Sequence, residues 1–263
     1  NPPDLMFLTA LPYVIGGRCR FVFDHHDLVP ELFEVKFGGG LLHRLTRLAE
    51  RATFALADAS IATNETFRDI AVARGRMNPD RVRIVRSYPD LTRFRRTDPP
   101  AGMRREGAIV VGYVGIIGEQ DGVDLLVRAM AHLAAQGRDD IDCVVVGDGP
   151  ALAGCRDLAA SLGVTERVRF TGYLSGEALL AHLSAFDIGV IPDPPNPFND
   201  KLSMNKVFEY SAMGVPIVMY DLAQARREAG AAARVAPRQG PEALAETLAG
   251  LAADPEGRRR MGD

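Results

Sequence analysis

The run from Asp187 to Val218 constrains the fold of this chain more than any other segment. It contains two short apolar stretches, Asp187–Ile191 and Pro216–Tyr220, whose β-branched residues are typical of strands covered on both faces. A polar loop and a short helical segment separate the two stretches. Since strands joined through a helix pair in parallel, the run predicts a βαβ unit of an α/β fold.

The helical segment of this run carries a cation and a carboxylate on one face. Ser203 is predicted to cap a helix that ends near Met213, and Lys206 and Glu209 lie three residues apart within it. A helix N-terminus presents free N–H groups to phosphate, and Lys206 adds a positive charge. Glu209 can accept hydrogen bonds from sugar or ribose hydroxyls. The segment therefore predicts a site for a nucleotide diphosphate.

Similar strand, loop and helix motifs precede this run, and a further one lies near the start of the chain. They are Tyr113-Val114-Gly115, Gly122-Val123-Asp124-Leu125-Leu126, Val144-Val145-Val146-Gly147-Asp148-Gly149-Pro150, Val168-Arg169-Phe170-Thr171-Gly172 and Phe23-Asp24-His25-His26-Asp27. With the Glu209 helix and the Gly-x-Pro turn at Gly214, they resemble the family 4 glycosyltransferases of the GT-B fold. The resemblance implies an α/β, GT-B-like chain with two Rossmann-like parallel-sheet domains, of which the first is incomplete.

The same resemblance implies an activity and its partners. The expected reaction moves a sugar from a nucleotide diphosphate sugar to an acceptor hydroxyl with retention of configuration, and it needs no metal and no cofactor besides that donor. The acceptor would be a polysaccharide, a glycolipid or a small molecule, and contact with a membrane surface is also expected. Two alternatives stay open: a non-catalytic or truncated nucleotide-binding module, and a sugar-nucleotide epimerase.

The resemblance also assigns residues. The candidate catalytic residues are His26 and Asp200, with Asp27 and Glu31 expected to orient His26 or to meet an acceptor. The candidate donor-binding residues are Gly115, Ile116, Gly118, Gly147, Gly149, Tyr173, Leu174, Asn199, Lys201, Asn205, Lys206 and Glu209.

Three positions depart from the family pattern. The acidic residue expected eight positions before Glu209 is replaced by Lys201, beside Asp200. The cations expected after the Tyr-Val-Gly motif are replaced by Ile116 and Asp121. We expect Lys201 and Lys206 to replace the lost positive charges.

Strands and helices alternate along the whole chain. Strands are predicted near residues 20–23, 59–62, 82–85, 109–114, 142–146, 168–170, 187–191, 216–220 and 233–235. Helices are predicted near 41–56 and 65–74, the latter capped by Asn64, and between the later strands. Pro89 and the run from Thr97 to Gly102 break the pattern. This break predicts an N-terminal, acceptor-side domain over 1–98 and a nucleotide-sugar domain over 99–263.

Composition excludes other classes of function. The chain has 263 residues and a net charge of -3, with its arginines dispersed, so a nucleic-acid partner is not expected. Its three cysteines have no metal-binding spacing and indicate a reducing compartment. No apolar run approaches the roughly 20 residues that cross a bilayer. The expected location is the cytoplasm, extending to the inner face of the membrane.

Overall fold

The computed structural model describes residue 5 and residues 7–263, and the chain divides into two compact units. The first unit contains the described residues up to Ser87 together with Asn196–Ser203. The second contains Tyr88–Pro195 and Met204–Asp263. Each unit has its own parallel β-sheet.

The sheet of the first unit has three strands, in the order β1-β2-β3. They are β1 (Val22–His25), β2 (Ala59–Ala62) and β3 (Val82–Ile84). The helices of this unit are α1 (Phe7–Ile15), α2 (Val29–Phe37), α3 (Leu41–Leu56) and α4 (Glu65–Ala73). Asn64 caps α4 as predicted, because its Oδ1 accepts a hydrogen bond from the Phe67 N–H at 2.9 Å.

An aromatic core joins the segment Asn196–Ser203 to the first unit. Phe198 is buried in one cluster with Phe23, Phe54 and Phe67. The Asn64 side chain then donates hydrogen bonds to the Lys201 carbonyl and the Ser203 hydroxyl, both at 3.0 Å. Burial of the Phe198 ring and the hydrogen bonds of the Asn64 side chain therefore hold Asn196–Ser203 in the first unit, although this segment comes late in the sequence.

The sheet of the second unit has six strands, in the order β6-β5-β4-β7-β8-β9. They are β4 (Ile109–Val114), β5 (Ile141–Val146), β6 (Val168–Gly172), β7 (Ile188–Ile191), β8 (Ile217–Met219) and β9 (Ala233–Val235). The helices are α5 (Val123–Ala135), α6 (Leu152–Ser161), α7 (Gly176–Ser184), α8 (Asn205–Ala212), α9 (Ala223–Ala229), α10 (Pro241–Ala252) and α11 (Pro255–Gly262).

This strand order is that of a doubly wound sheet. The chain moves outward from β4 through β5 to β6, then returns to β7 on the other side of β4. The carboxyl ends of β4 and β7 therefore flank the point where the winding direction reverses. Loops diverge at such a point and leave a crevice, so this is where a ligand site is expected.

Most predicted strands match the observed ones within two residues, but several predictions of element ends are wrong. The first strand begins at Val22 and contains His25, which was expected to follow it. Helix α8 begins at Asn205 with Met204 at its N-cap, not Ser203. Along the chain, the first long segment of the first unit ends at Ser87 and the second unit begins at Tyr88. The domain ranges 1–98 and 99–263, which include residues outside the described part, stay a prediction.

The cysteines form no disulfide bond with one another. Cys143 and Cys155 are buried, Cys19 is exposed, and all three are free thiols. Within the part of the chain that the structure describes, no helix has the length and apolar character of a membrane span.

His25 is a fully buried polar residue in the core of the first unit. Its ring lies within 5.3 Å of the rings of Phe23, Phe54 and Phe67, centroid to centroid. Neither ring nitrogen forms a hydrogen bond with another described residue, and Nε2 lies 3.8 Å from Glu50 Oε1. Burial, assisted by the positive charge of Arg74, lowers the pKa of His25 from 6.5 to about 3. His25 is therefore neutral at physiological pH.

His25 should make the first unit less stable in mild acid. Between pH 6.5 and about pH 3 the unfolded chain binds a proton at His25 that the folded chain does not. Stability is therefore full above pH 6.5 and falls with pH by about 1.4 kcal/mol per unit. Urea unfolding should show roughly 2 kcal/mol more loss between pH 7.5 and 5 for the wild type than for His25→Leu. Equal losses in the two proteins would contradict the neutral, buried histidine.

Candidate functional site

Helix α8 is fixed to the carboxyl ends of β4 and β7 by Tyr210. The Val114 N–H donates a hydrogen bond to the Tyr210 hydroxyl at 3.0 Å. The hydroxyl can donate its hydrogen to either of two carbonyl oxygens, that of Gly112 at 3.2 Å and that of Val190 at 3.3 Å. Because all of these groups are buried, α8 holds one position against the two strands.

A buried ion pair lies where α8 begins. Lys206 Nζ donates a hydrogen bond to Asp193 Oδ2 at 2.7 Å, and Asp193 follows β7 by two residues. Nζ also lies 4.7 Å from the centre of the Tyr113 ring. Burial alone would lower the pKa of Lys206, but the Asp193 carboxylate outweighs burial and raises that pKa. The lysine is therefore charged, and the pair as a whole is neutral.

Glu209 lies one helical turn after Lys206. Its carboxylate is half-buried and makes no hydrogen bond or ion pair with another residue in the described part of the chain. Burial raises the pKa of Glu209, while the charge of Lys206 acts in the opposite direction. A partly desolvated carboxylate without a protein donor is suited to accept hydrogen bonds from a ligand.

The loop after β4 closes on itself through Asp121. Its Oδ2 accepts a hydrogen bond from the Gly118 N–H at 2.8 Å, across the 3-10 turn Glu119–Asp121. The preceding Ile116 is exposed, and its carbonyl accepts a hydrogen bond from the Tyr113 hydroxyl at 2.6 Å. Asp121, which stands where the family pattern has a cation, therefore shapes this loop.

Gly147 and Gly149 let the loop after β5 approach the loop after β4. A Cβ atom at Gly147 would lie 1.8 Å from the Gly115 carbonyl oxygen, and one at Gly149 would lie 2.4 Å from the Ile117 carbonyl oxygen. The Ile117 N–H donates a hydrogen bond to the Asp148 carbonyl at 3.0 Å. These glycines thus have a packing role, and donor binding by them stays a prediction.

The structure brings together most candidate residues of the second unit. The Gly147 N–H donates a hydrogen bond to the Gly172 carbonyl. Exposed Tyr173 and half-buried Leu174 follow Gly172 directly, so both lie beside the loop after β5. Asn205 is exposed at the first position of α8. Loop backbone, the neutral Lys206–Asp193 pair and Glu209 therefore lie near the carboxyl ends of β4 and β7, where a ligand site is expected.

The remaining candidates belong to the first unit. His26 is exposed, and its Nε2 lies 3.2 Å from Asp24 Oδ1. Asn199 is buried and Asp200 is half-buried, in the 3-10 turn Asn199–Lys201. Lys201 Nζ donates hydrogen bonds to the Pro197 carbonyl at 2.7 Å and to Glu31 Oε1 at 3.4 Å.

Glu31 does not orient His26 as the sequence suggested. It is buried and binds Arg74, whose guanidinium also binds Glu50. Burial would raise the pKa of Glu31, but the positive charges of Arg74 and Lys201 hold it below its usual value. Glu31 is therefore part of a buried charge cluster in the first unit.

Sequence reasoning missed Asp193, Tyr113 and Tyr210 as parts of the site. Asp193 stands among prolines, which favours a turn, and each tyrosine stands among apolar residues, which indicates the core. No local pattern distinguishes these roles. Among the described residues, no group of three or more His, Cys, Asp or Glu side chains could hold a metal ion.

Comparison with known proteins gives relatives over most of the chain. It is 31% identical over 225 residues to the 2-deoxystreptamine glucosyltransferase of Streptomyces kanamyceticus, covering 81% of this chain and 54% of the relative. It is 27% identical over 228 residues to the alpha-D-kanosaminyltransferase of the same organism, covering 83% and 57%. The chain thus spans about half the length of these curated relatives.

Solved structures confirm the predicted GT-B-like α/β fold class. The Anabaena protein HepE, in complex with UDP and glucose, superposes with a TM-score of 0.74 at 17% identity. The superposition covers 98% of this chain and 68% of HepE. At this identity the likeness shows the fold.

The sequence model of one family matches the second unit. The match spans residues 108–254, more than half of the chain, and includes β4, the loop after it and all of α8. The chain therefore belongs to the family described as glycosyl transferases group 1.

Proposed function

We propose that this chain takes part in moving a sugar from a nucleotide diphosphate sugar to an acceptor hydroxyl, with retention of anomeric configuration. The observation that carries the proposal is the half-buried Glu209 carboxylate, one turn from Lys206 and without a donor among the described residues. The UDP and glucose bound to HepE and the sugar transfer named for the Streptomyces relatives support this class of donor.

In this proposal Glu209 accepts hydrogen bonds from the ribose hydroxyls. The diphosphate lies against the loop Gly115–Gly122, where backbone N–H groups, and the hydrogens of Lys206 Nζ that do not face Asp193, serve as donors. Exposed Asn205, Tyr173 and half-buried Leu174 border the remaining donor surface. The residues of the second unit thus bind the nucleotide and stabilise the charge that develops on the leaving diphosphate.

We assign His26 and Asp200 of the first unit to the reacting sugar. Exposed His26, next to Asp24, donates a hydrogen bond to the sugar or its phosphate, and Asp200 accepts from sugar hydroxyls. No pair of carboxylates is proposed as acid and base. The departing phosphate oxygen instead takes the proton of the attacking acceptor hydroxyl, while the glycosidic bond to that phosphate breaks. A polysaccharide, glycolipid or small-molecule acceptor and a cytoplasmic location stay predictions.

One observation favours a second function, a nucleotide-binding module without catalysis. Ile116 and Asp121 provide no cation, and the charge of Lys206 is balanced by Asp193. Each charge-assisted hydrogen bond lost to a diphosphate removes about 1.5–3 kcal/mol. Consumption of a sugar donor distinguishes the two functions, because only a transferase consumes it. Neither of the two Streptomyces relatives is named as an epimerase, and no observation favours that activity.

Glu209→Gln should weaken nucleotide binding without unfolding the chain. Calorimetric titration with UDP, GDP and ADP should show saturable binding of one nucleotide by the wild type. Replacing the carboxylate by an amide should weaken it roughly 10- to 100-fold, since a charge-assisted bond becomes a neutral one. Glu166→Gln, at an exposed position of the same unit, is the matched control and should bind like the wild type. Unchanged nucleotide affinity in Glu209→Gln would show that the carboxylate does not bind the nucleotide.

A paired substitution separates the structural role of Lys206 from its proposed role in binding. Lys206→Met leaves Asp193 buried and unpaired and should destabilise the chain by roughly 3–5 kcal/mol. Asp193→Leu/Lys206→Met removes both charges and should recover most of that stability in urea unfolding. Its affinity for the nucleotide diphosphate should stay at least roughly tenfold below that of the wild type. A double variant with wild-type affinity would show that Lys206 serves folding alone.

Retention of configuration predicts the stereochemistry of the product. With an α-linked donor of the nucleotide that binds, proton NMR of the transferred sugar should show an α-linked product. A β-linked product would contradict retention. Nucleotide binding without consumption of any donor tested, across polysaccharide, glycolipid and small-molecule acceptors, would favour the non-catalytic module.

A further inference from the structure

Asn64 forms more hydrogen bonds than the capping of α4 requires. Its Oδ1 accepts a hydrogen bond from the Phe67 N–H at 2.9 Å, which satisfies one of the free N–H groups at the start of the helix. Aspartate and serine cap helices as well as asparagine does, and neither carries a side-chain NH2 group. Capping therefore leaves the two hydrogens of Asn64 Nδ2 without an explanation.

Both of these hydrogens bond to the segment Asn196–Ser203. Nδ2 donates one hydrogen bond to the Lys201 carbonyl and one to the Ser203 hydroxyl, each 3.0 Å long. Asn64 is fully buried, so no water replaces these partners at its side chain. Because Phe67 presents an N–H group and Lys201 a carbonyl, the two partners need an acceptor and a donor on one short side chain. Asparagine provides both.

Apolar contacts hold the same segment with less precision. Phe198 is buried in the aromatic core of the first unit, and Leu202 packs against that core. Apolar burial is non-directional, so it keeps the segment in place without fixing its orientation. A hydrogen bond weakens steeply with misalignment, so it does fix an orientation. The Asn64 amide therefore supplies the directional part of this attachment.

Asp200 lies between the points at which the segment is held. The Asp200 N–H donates a hydrogen bond to the Asn196 carbonyl at 3.0 Å. The carbonyl that binds Asn64 belongs to the next residue, Lys201. Asp200 itself is half-buried, in the 3-10 turn Asn199–Lys201. The backbone of Asp200 is thus held on both sides, and on one side the Asn64 amide holds it.

We propose that Asn64 is a positioning residue for sugar transfer, which orients the Asp200 carboxylate through the turn Asn199–Lys201. This inference rests on the proposed function, in which Asp200 accepts hydrogen bonds from hydroxyls of the reacting sugar. A displacement of about 1 Å at a reacting centre can lower a rate roughly 100-fold. The nucleotide is assigned to Glu209 and Lys206 of the second unit. Loss of the amide should therefore slow transfer and leave nucleotide binding unchanged.

Asn64→Asp tests this role because it keeps the size of the side chain and the cap of α4. A carboxylate has no hydrogen to donate and repels the Lys201 carbonyl. In the full 263-residue chain, kcat for donor consumption should fall at least roughly tenfold, with the KM for the donor within about twofold. Calorimetric affinity for the nucleotide diphosphate should match that of the wild type. Expressing kcat per nucleotide-binding site counted in that titration removes any contribution from unfolded protein.

A second variant avoids placing a charge in the core. Asn64→Ser keeps a capping oxygen and should show the same loss of kcat with unchanged nucleotide affinity. Amide hydrogens of residues 199–202 should exchange faster in both variants, because the turn opens more often. Asn78→Asp is the matched control. Exposed Asn78 also caps a turn, since its Oδ1 accepts a hydrogen bond from the Asp80 N–H at 2.9 Å, and its variant should behave like the wild type.

The possible outcomes separate this inference from the proposed function. Wild-type kcat in both Asn64 variants would overturn the inference and leave the proposed function standing. So would matched losses of kcat and of nucleotide affinity, which would show a general structural role for the amide. A wild type that binds no nucleotide, or consumes no donor, would overturn the proposed function and this inference with it.

Discussion

The hydroxyl group of Tyr210 fixes the part of the second unit on which the candidate site depends. It bonds backbone groups of β4 and β7, the two strands at which the winding of the sheet reverses. The ring needs Gly189 beside it, because a Cβ there would lie 2.6 Å from a ring atom. Burial raises the pKa of the phenol, so the hydroxyl keeps its proton. Without these bonds, three buried backbone groups would lose a partner, at about 1–3 kcal/mol for each one left unsatisfied.

The strands could be predicted because burial on both faces leaves a continuous apolar run. Ile109–Val114 is such a run, and the observed β4 has the predicted bounds. Helix α1 was missed because Pro12, a residue that normally interrupts a helix, lies inside it and nearly all of its other residues are apolar. The place of Asn196–Ser203 in the first unit could not be predicted for a different reason. It depends on Phe198 packing with Phe23 and Phe54, and these contacts join distant parts of the sequence.

The site was predictable where it depends on local spacing. Lys206 and Glu209 lie one turn apart on α8, as the sequence indicated, because helical geometry alone sets that relation. The partner of Lys206 was not predictable, since Asp193 approaches it only through the fold of the loop after β7. Asp121 shows the same limit. The family resemblance indicated only that a cation is missing at this position. In the structure, the Asp121 carboxylate accepts a hydrogen bond from the Gly118 N–H, and this bond closes the loop.

The Lys206–Asp193 pair sets how strongly the second unit can attract an anion. A lysine buried to this extent would lose its proton more readily without a nearby carboxylate, so Asp193 keeps the ammonium charged before any ligand arrives. The same carboxylate repels a diphosphate that approaches Nζ. In the proposed donor site the net attraction would therefore come largely from directed N–H groups: those of Lys206 and those of the loop backbone that Asp121 and the glycines hold in place. Directional donors select the geometry of a ligand more than its total charge, because a hydrogen bond weakens steeply with misalignment whereas the attraction of a point charge does not.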